Sequence, residues 1–146
     1  VAAADAGPGR PPTAGPPPVG ADIERVRPRI RRFVTDYFTA VEIDQLADAA
    51  AGQYDTLVTA IWSAKEAALK ALHLGLTVDT RRVECRMAST LPDPTRWQPL
   101  AVTYRPYAVG DETPPDRVLP GWWRTWGAYV LTIVTDGGPG REPTPL

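Results

Sequence analysis

The sequence predicts an α+β domain, with three helices packed on a small, mainly antiparallel sheet. Two observations carry that reading. Apolar residues recur at helical spacing in three consecutive segments between residues 29 and 72, and strand-like runs stand before them at 19–25 and after them at 82–88, 100–105 and 129–135.

Residues 1–18 are Pro-, Gly- and Ala-rich and read as a flexible linker. Val19 to Arg25 follows as a strand, and Pro28 interrupts it. Arg29 to Phe38 reads as a helix that turns Ile30, Phe33, Val34 and Tyr37 to the core. Thr39 with Glu42 three residues later is a capping box, so a second helix begins there and presents Ile43, Leu46, Ala47 and Ala50 until Gly52 ends it. Leu57, Ile61, Ala64, Ala68 and Leu72 define a third helix from Tyr54 to Leu72, with Gly75 as its stop. His73 is read as a helix-end residue. Beyond it come the strands Arg82–Ala88, Leu100–Arg105 and Tyr129–Thr135, with Pro106–Pro120 as loop. Trp122, Trp123 and Trp126 are expected to pack the last strands. The domain is expected over 19–136, and 137–146 reads as a disordered tail.

Composition narrows the function. A chain of 146 residues with 43% hydrophobic content suits one domain with its own core. A net charge of −1 provides no general field for nucleic acid or a membrane surface, and no apolar run reaches a membrane span. The single Cys85 forms no internal disulfide and suits a reducing cytoplasm. With His73 as its one histidine, the chain is a poor candidate for a histidine zinc site or a serine–histidine relay. It begins at Val1 and its one methionine is Met87, so a domain cut from a longer protein is expected.

Chemistry is concentrated in two stretches. In Gly20-Ala21-Asp22-Ile23-Glu24, the acids are two apart in a strand and share a face, with Ile23 expected toward the core. In Trp62-Ser63-Ala64-Lys65-Glu66-Ala67-Ala68-Leu69-Lys70, Glu66 and Lys70 lie one helical turn apart, and Lys65 is about 100° from Glu66 around the axis. Asp22, Glu24 and Glu66 make three oxygen donors of the kind that hard divalent cations such as magnesium favour, and Lys65 and Lys70 can hold phosphate charge. Taken singly, an acid-x-acid pair in a strand is ordinarily a solvated face, and Lys-Glu-x-x-x-Lys is ordinarily helix surface. Trp62 reads as packing.

Both stretches, in this order, resemble the phosphopantetheinyl transferases, whose pattern is approximately G-(I/V/A)-D-(I/V)-E followed by (W/F)-x-x-K-E-(A/S)-x-x-K. Gly20, Asp22 and Glu24 match the first motif, and Trp62, Lys65, Glu66, Ala67 and Lys70 the second. Phe38-Thr39-Ala40-Val41-Glu42 is similar to the family's short F-(T/S)-x-x-E connector. The resemblance implies a holo-acyl-carrier-protein synthase activity: transfer of the 4'-phosphopantetheine arm of coenzyme A to a serine of an acyl or peptidyl carrier protein, with release of adenosine 3',5'-bisphosphate. It implies magnesium on Asp22, Glu24 and Glu66, Glu66 as proton acceptor, Lys65 at the leaving group and Lys70 on a coenzyme A phosphate. The arginines 25, 27, 29, 31 and 32 form the one strong charge cluster, which reads either as a solubilising face or as a surface that captures an acidic partner or coenzyme A phosphates; the resemblance implies that Arg25, Arg29, Arg31 and Arg32 dock an acidic carrier protein.

The 44-residue spacing and the Asp-x-Glu form resemble the second lobe of two-lobed, surfactin-type members, whose first-lobe S-H-S-like motif is missing here. A site completed by homo-oligomerisation, as in the small single-lobe members, or by an upstream lobe is therefore expected. The context of a polyketide synthase or of fatty acid biosynthesis fits the linker-like start. Two other readings stay open: a catalytically incomplete lobe acting as a carrier-protein docking or assembly module, and a general magnesium-phosphate hydrolase, for which no motif of its own is present.

Overall fold

A computed structural model describes residues 15–88, 93–137 and 142–144. Most of the expected linker and tail lies outside these described residues. The elements are β1 (Val19–Arg25), α1 (Arg31–Tyr37), α2 (Ala40–Ala47), α3 (Tyr54–Ala71), β2 (Val83–Met87), β3 (Gln98–Tyr104), β4 (Arg117–Trp126) and β5 (Tyr129–Thr135), with 3₁₀ turns at Gly75–Thr77 and Thr80–Arg82. The strands form one antiparallel sheet in the order β1-β5-β4-β3-β2, so the α+β expectation holds. α3 lies across one face of the sheet, chiefly against β1 and β5, and α2 packs on β2.

The expected loop at Pro106–Pro120 is corrected at its end, because β4 already begins at Arg117. Pro120 is tolerated there. Pairing of β4 with β5 starts only at Gly121, so the missing N–H breaks no rung between those two strands. Trp126 pairs with Tyr129 across the two-residue turn Gly127–Ala128, and Gly127 supplies the positive φ of 56° that such a turn requires. Of the three tryptophans only Trp123 is buried; Trp122 and Trp126 stand on the outer face of the sheet.

α1 starts two residues later than expected. Ile30 is its extended N-cap and is exposed, as is Tyr37; Val34 and Phe38 enter the core. Ile43 likewise faces solvent, whereas Leu46 is buried. The residue that stops α3 is not Gly75 but His73: the helix ends at Ala71 with Leu72 as its C-cap, and the φ of 56° at His73 places a non-glycine residue in the left-handed region while Leu74 N–H closes back on Leu69 O at 3.0 Å.

One buried cluster ties these elements together. The capping box at Thr39 and Glu42 forms as expected, with Thr39 N–H donating to Glu42 Oε2 at 2.9 Å. The same carboxylate accepts from Lys65 Nζ at 2.6 Å through Oε2 and from Cys85 N–H at 2.7 Å through Oε1. Lys65 also donates to Tyr37 O at 2.9 Å, and both charged side chains are fully buried. Desolvation pushes the Glu42 carboxyl above its ordinary range and the Lys65 ammonium below its own, against their mutual attraction. Gln45 completes the seam by donating to Cys85 O and accepting from Met87 N–H, both at 2.8 Å. Glu42 and Gln45 thus take the place of a neighbouring strand along the free edge of β2. Buried beside them, the Cys85 thiol is pushed far above its ordinary value.

At the other edge, β1 approaches α3 so closely that a Cβ on Gly20 would lie 1.8 Å from Ala67 O and 2.6 Å from Ala71 N. Only glycine fits. The face of β1 that meets α3 carries Gly20, Asp22 and Glu24; Ile23, 62% exposed, points the opposite way, contrary to expectation.

Two stability predictions follow from these contacts. Lys65→Met should cost about 3–5 kcal/mol, because Glu42 would keep a buried charge without its cation; urea unfolding of both proteins measures it, and a loss below about 1 kcal/mol would show that the pair is not structural. Gly20→Ala should cost about 3 kcal/mol or more, since backbone must move to admit the methyl group, and a thermal melt close to that of the unaltered protein would contradict the close approach.

Candidate active site

The site is built where β1 crosses α3. The two-residue period of β1 puts Asp22 and Glu24 on the helix side of the strand, and one turn of α3 separates Glu66 from Lys70. Lys70 Nζ bridges the elements, donating to Asp22 Oδ1 at 2.7 Å and to Ala21 O at 3.2 Å. Its side chain is half exposed while that of Asp22 is only 9% exposed. On Asp22, Oδ2 is buried without a hydrogen-bond partner, and so is Oε1 of Glu66. Burial first, then the negative charges of Asp22 and Glu24, hold the Glu66 carboxyl above its ordinary range; Lys70 partly offsets them.

Glu24 sits at the far end of this row and is held by Arg29, whose Nη2 lies 3.4 Å from Glu24 Oε2. Arg29 was expected on the surface. Instead its side chain is 11% exposed, with the guanidinium carbon 4.6 Å from the centroid of the Phe33 ring and Nε unpartnered. Phe33 packs edge-on against Trp62 at 5.0 Å and also meets Tyr37, forming an aromatic cluster one turn from Glu66 on α3. Phe33, Tyr37 and Trp62, with Leu76, Val78 and Thr80, line a cavity of about 470 Å³. Arg25, Arg31 and Arg32 are exposed, and Arg32 pairs with Asp36 one turn along α1.

Asp22, Glu66 and Lys70 are therefore brought together, with Glu24 beside them under Arg29. Lys65 is not: its ammonium is enclosed with Glu42, turned away from the carboxylates. Among the described residues, no group of three or more His, Cys, Asp or Glu is gathered in a way that could hold a metal ion. Lys70 and Arg29 each engage one of the expected ligands in their place. In chemistry, though not in their present spacing, Asp22, Glu24 and Glu66 are the all-oxygen donors that a hard cation favours, and Asp22 Oδ2 and Glu66 Oε1 are buried and unpartnered. The inward turn of Arg29 and the aromatic cavity were not foreseen, since neither charge pattern nor helical period tells which arginine of a cluster folds inward. Among the described residues, no helix is long and apolar enough to cross a membrane.

No curated protein matches the chain. The family model of the 4'-phosphopantetheinyl transferase superfamily matches residues 18–118, which span β1 through the first residues of β4 and contain every residue of the site. With that match over well more than half its length, the chain belongs to the 4'-phosphopantetheinyl transferase superfamily.

Proposed function

We propose that this protein transfers the 4'-phosphopantetheine arm of coenzyme A to a serine of an acyl or peptidyl carrier protein, in the manner of a magnesium-dependent holo-acyl-carrier-protein synthase. The observation that carries this reading is the meeting of Asp22, Glu66 and Lys70 across β1 and α3, with a buried, unpartnered oxygen on each carboxylate. Asp22, Glu24 and Glu66 would hold the magnesium ion, whose charge, once bound, would offset that of the coenzyme A pyrophosphate.

In the reaction, the serine oxygen forms a bond to the phosphorus that carries the pantetheine arm, the phosphoanhydride bond breaks, and adenosine 3',5'-bisphosphate departs. Glu66 accepts the serine proton directly or through a water; burial and the neighbouring carboxylates raise its proton affinity, the direction a general base requires. Lys70, on a long half-exposed stem, exchanges Asp22 for a coenzyme A phosphate. Lys65 we assign to the fold instead of the leaving group. The apolar cavity beside Trp62 suits the uncharged part of the arm.

Carrier docking falls to Arg25, Arg31 and Arg32, which are exposed, and no longer to Arg29. β1 is an edge strand, and a groove of about 480 Å³ runs around it, lined by Ala21, Asp22, Ile23 and Lys70, by Leu131 and Ile133 of the outer sheet face, and by Pro143 and Thr144. A second copy, or an upstream lobe, closing that side would shield the charges from water and strengthen them. The buried Cys85 suits the reducing cytoplasm. One observation favours the second reading, an incomplete lobe that only docks carrier protein: the carboxylates are already engaged by Lys70 and Arg29.

Two outcomes are expected. Mass spectrometry of a carrier protein incubated with coenzyme A and magnesium should show the added arm with the unaltered chain and a loss of at least about a hundredfold in rate with Glu66→Gln, which removes the base; undiminished transfer by that variant would refute the assignment. Specific activity should fall on dilution in step with dissociation seen by sedimentation, whereas carrier binding without transfer at any concentration would favour the docking module.

A further inference from the structure

We infer that Arg29 is a resident counter-cation of the acidic row, which holds Glu24 in the metal-free protein and makes divalent-cation binding depend on the negative charge that coenzyme A brings. The inference rests on the magnesium reading proposed above. It starts from the contrast between two cations. Lys70 reaches Asp22 from a half-exposed position and can swing into solvent by rotating its stem. Arg29 cannot: it is nearly enclosed, follows Pro28 in the short connection from β1 to α1, and is seated on Phe33, which is itself packed against Trp62.

With Arg29 on Glu24 and Lys70 on Asp22, Glu66 is the one carboxylate of the three without a cation of its own. A doubly charged ion entering the row would displace Lys70 but meet a fixed positive charge at Glu24, and partial burial keeps that repulsion from being screened away. The phosphates of coenzyme A reverse the balance. They add negative charge to the same place, and the Phe33 ring continues to support the guanidinium if Glu24 turns from it toward the ion. Nε of Arg29, buried and unpartnered, is a donor left free for such a rearrangement. Arg31 and Arg32, exposed on α1, have no comparable seat.

The test titrates the full chain with Mn²⁺ as the probe, reading the free-ion signal by electron paramagnetic resonance with and without coenzyme A. The unaltered protein should bind Mn²⁺ weakly alone and about tenfold or more tightly with coenzyme A. Arg29→Met should bind Mn²⁺ alone about tenfold more tightly than the unaltered protein and gain less from coenzyme A, while Arg29→Lys, which keeps the charge but loses the planar seat on Phe33, should fall between the two. Circular dichroism checks that each variant is folded; should Arg29→Met fail, Arg29→Gln takes its place in the same titration. Equal or weaker Mn²⁺ binding by the neutral variant, in a protein whose binding Asp22→Asn abolishes, would overturn the counter-cation while leaving the metal reading intact. Absence of Mn²⁺ binding in all forms, or binding indifferent to Asp22→Asn, would overturn both.

Discussion

The orientation of α3 depends on one buried ion pair, Lys65 with Glu42, and the rest of the site depends on that orientation. In this pair Lys65 donates to the C-terminal carbonyl of α1, while the Glu42 carboxylate accepts from the N-cap amide of α2 and the edge amide of β2. Such a pair is a weak source of net stability, because desolvation consumes much of the attraction. Its effect is directional. Lys65 and Glu66 are consecutive, about 100° apart around the helix, so fixing Lys65 in the core turns Glu66 toward β1. The Lys-Glu dipeptide thus divides its work: the cation sets the rotation of the helix, and the carboxylate takes the position that rotation creates.

The opposite edge imposes a complementary constraint. Gly20 lets the backbone of β1 lie directly on α3, and the strand's alternation then places Asp22 and Glu24 in the seam between sheet and helix. A side chain at Gly20 would lift the strand and draw the acids away from Glu66. Because β1 is an edge strand, the seam is open along one side among the described residues, and on the outer face Ile23, Leu131 and Ile133 line a groove that no helix covers and that Pro143 and Thr144 border. A two-layer architecture therefore yields a half-walled site by geometry alone, which is the physical ground for proposing a second body against it.

Local patterns in the sequence proved legible. The capping box at Thr39 and Glu42, the long periodic helix and the alternation in β1 are set by neighbours a few residues apart, and each was found where the pattern placed it. What failed was what distance decides. Period two groups Asp22 with Glu24, but it cannot tell which face of β1 the helix covers, so Ile23 was put on the wrong side. Five arginines in eight residues look alike until the chain turns at Pro28 and one of them finds a carboxylate and a ring. Lys65 had the motif position of a reactive group, and only the contact with Glu42, 23 residues away, gives its role in the fold. β4 was obscured by Pro120 and Gly121, residues that weaken a strand in isolation but are accommodated where pairing with β5 begins.

These two edges meet in the electrostatics of the row. Carboxylates packed between a strand and a helix repel one another and resent burial, and Glu66 registers both effects in its raised proton affinity. Folding this row without cations would mean either protonating it or opening the seam. Lys70 and Arg29 remove that conflict from within the chain, one from each side of the seam, so the charges that serve folding stand next to those proposed to serve transfer. The two cations differ in how easily they can leave. A half-exposed ammonium can leave its carboxylate by rotating its stem into solvent, whereas an enclosed guanidinium on an aromatic ring stays where it is. The same row can therefore be neutral enough to fold and still release one carboxylate for chemistry, provided that a polyanionic substrate arrives to take up the charge left behind.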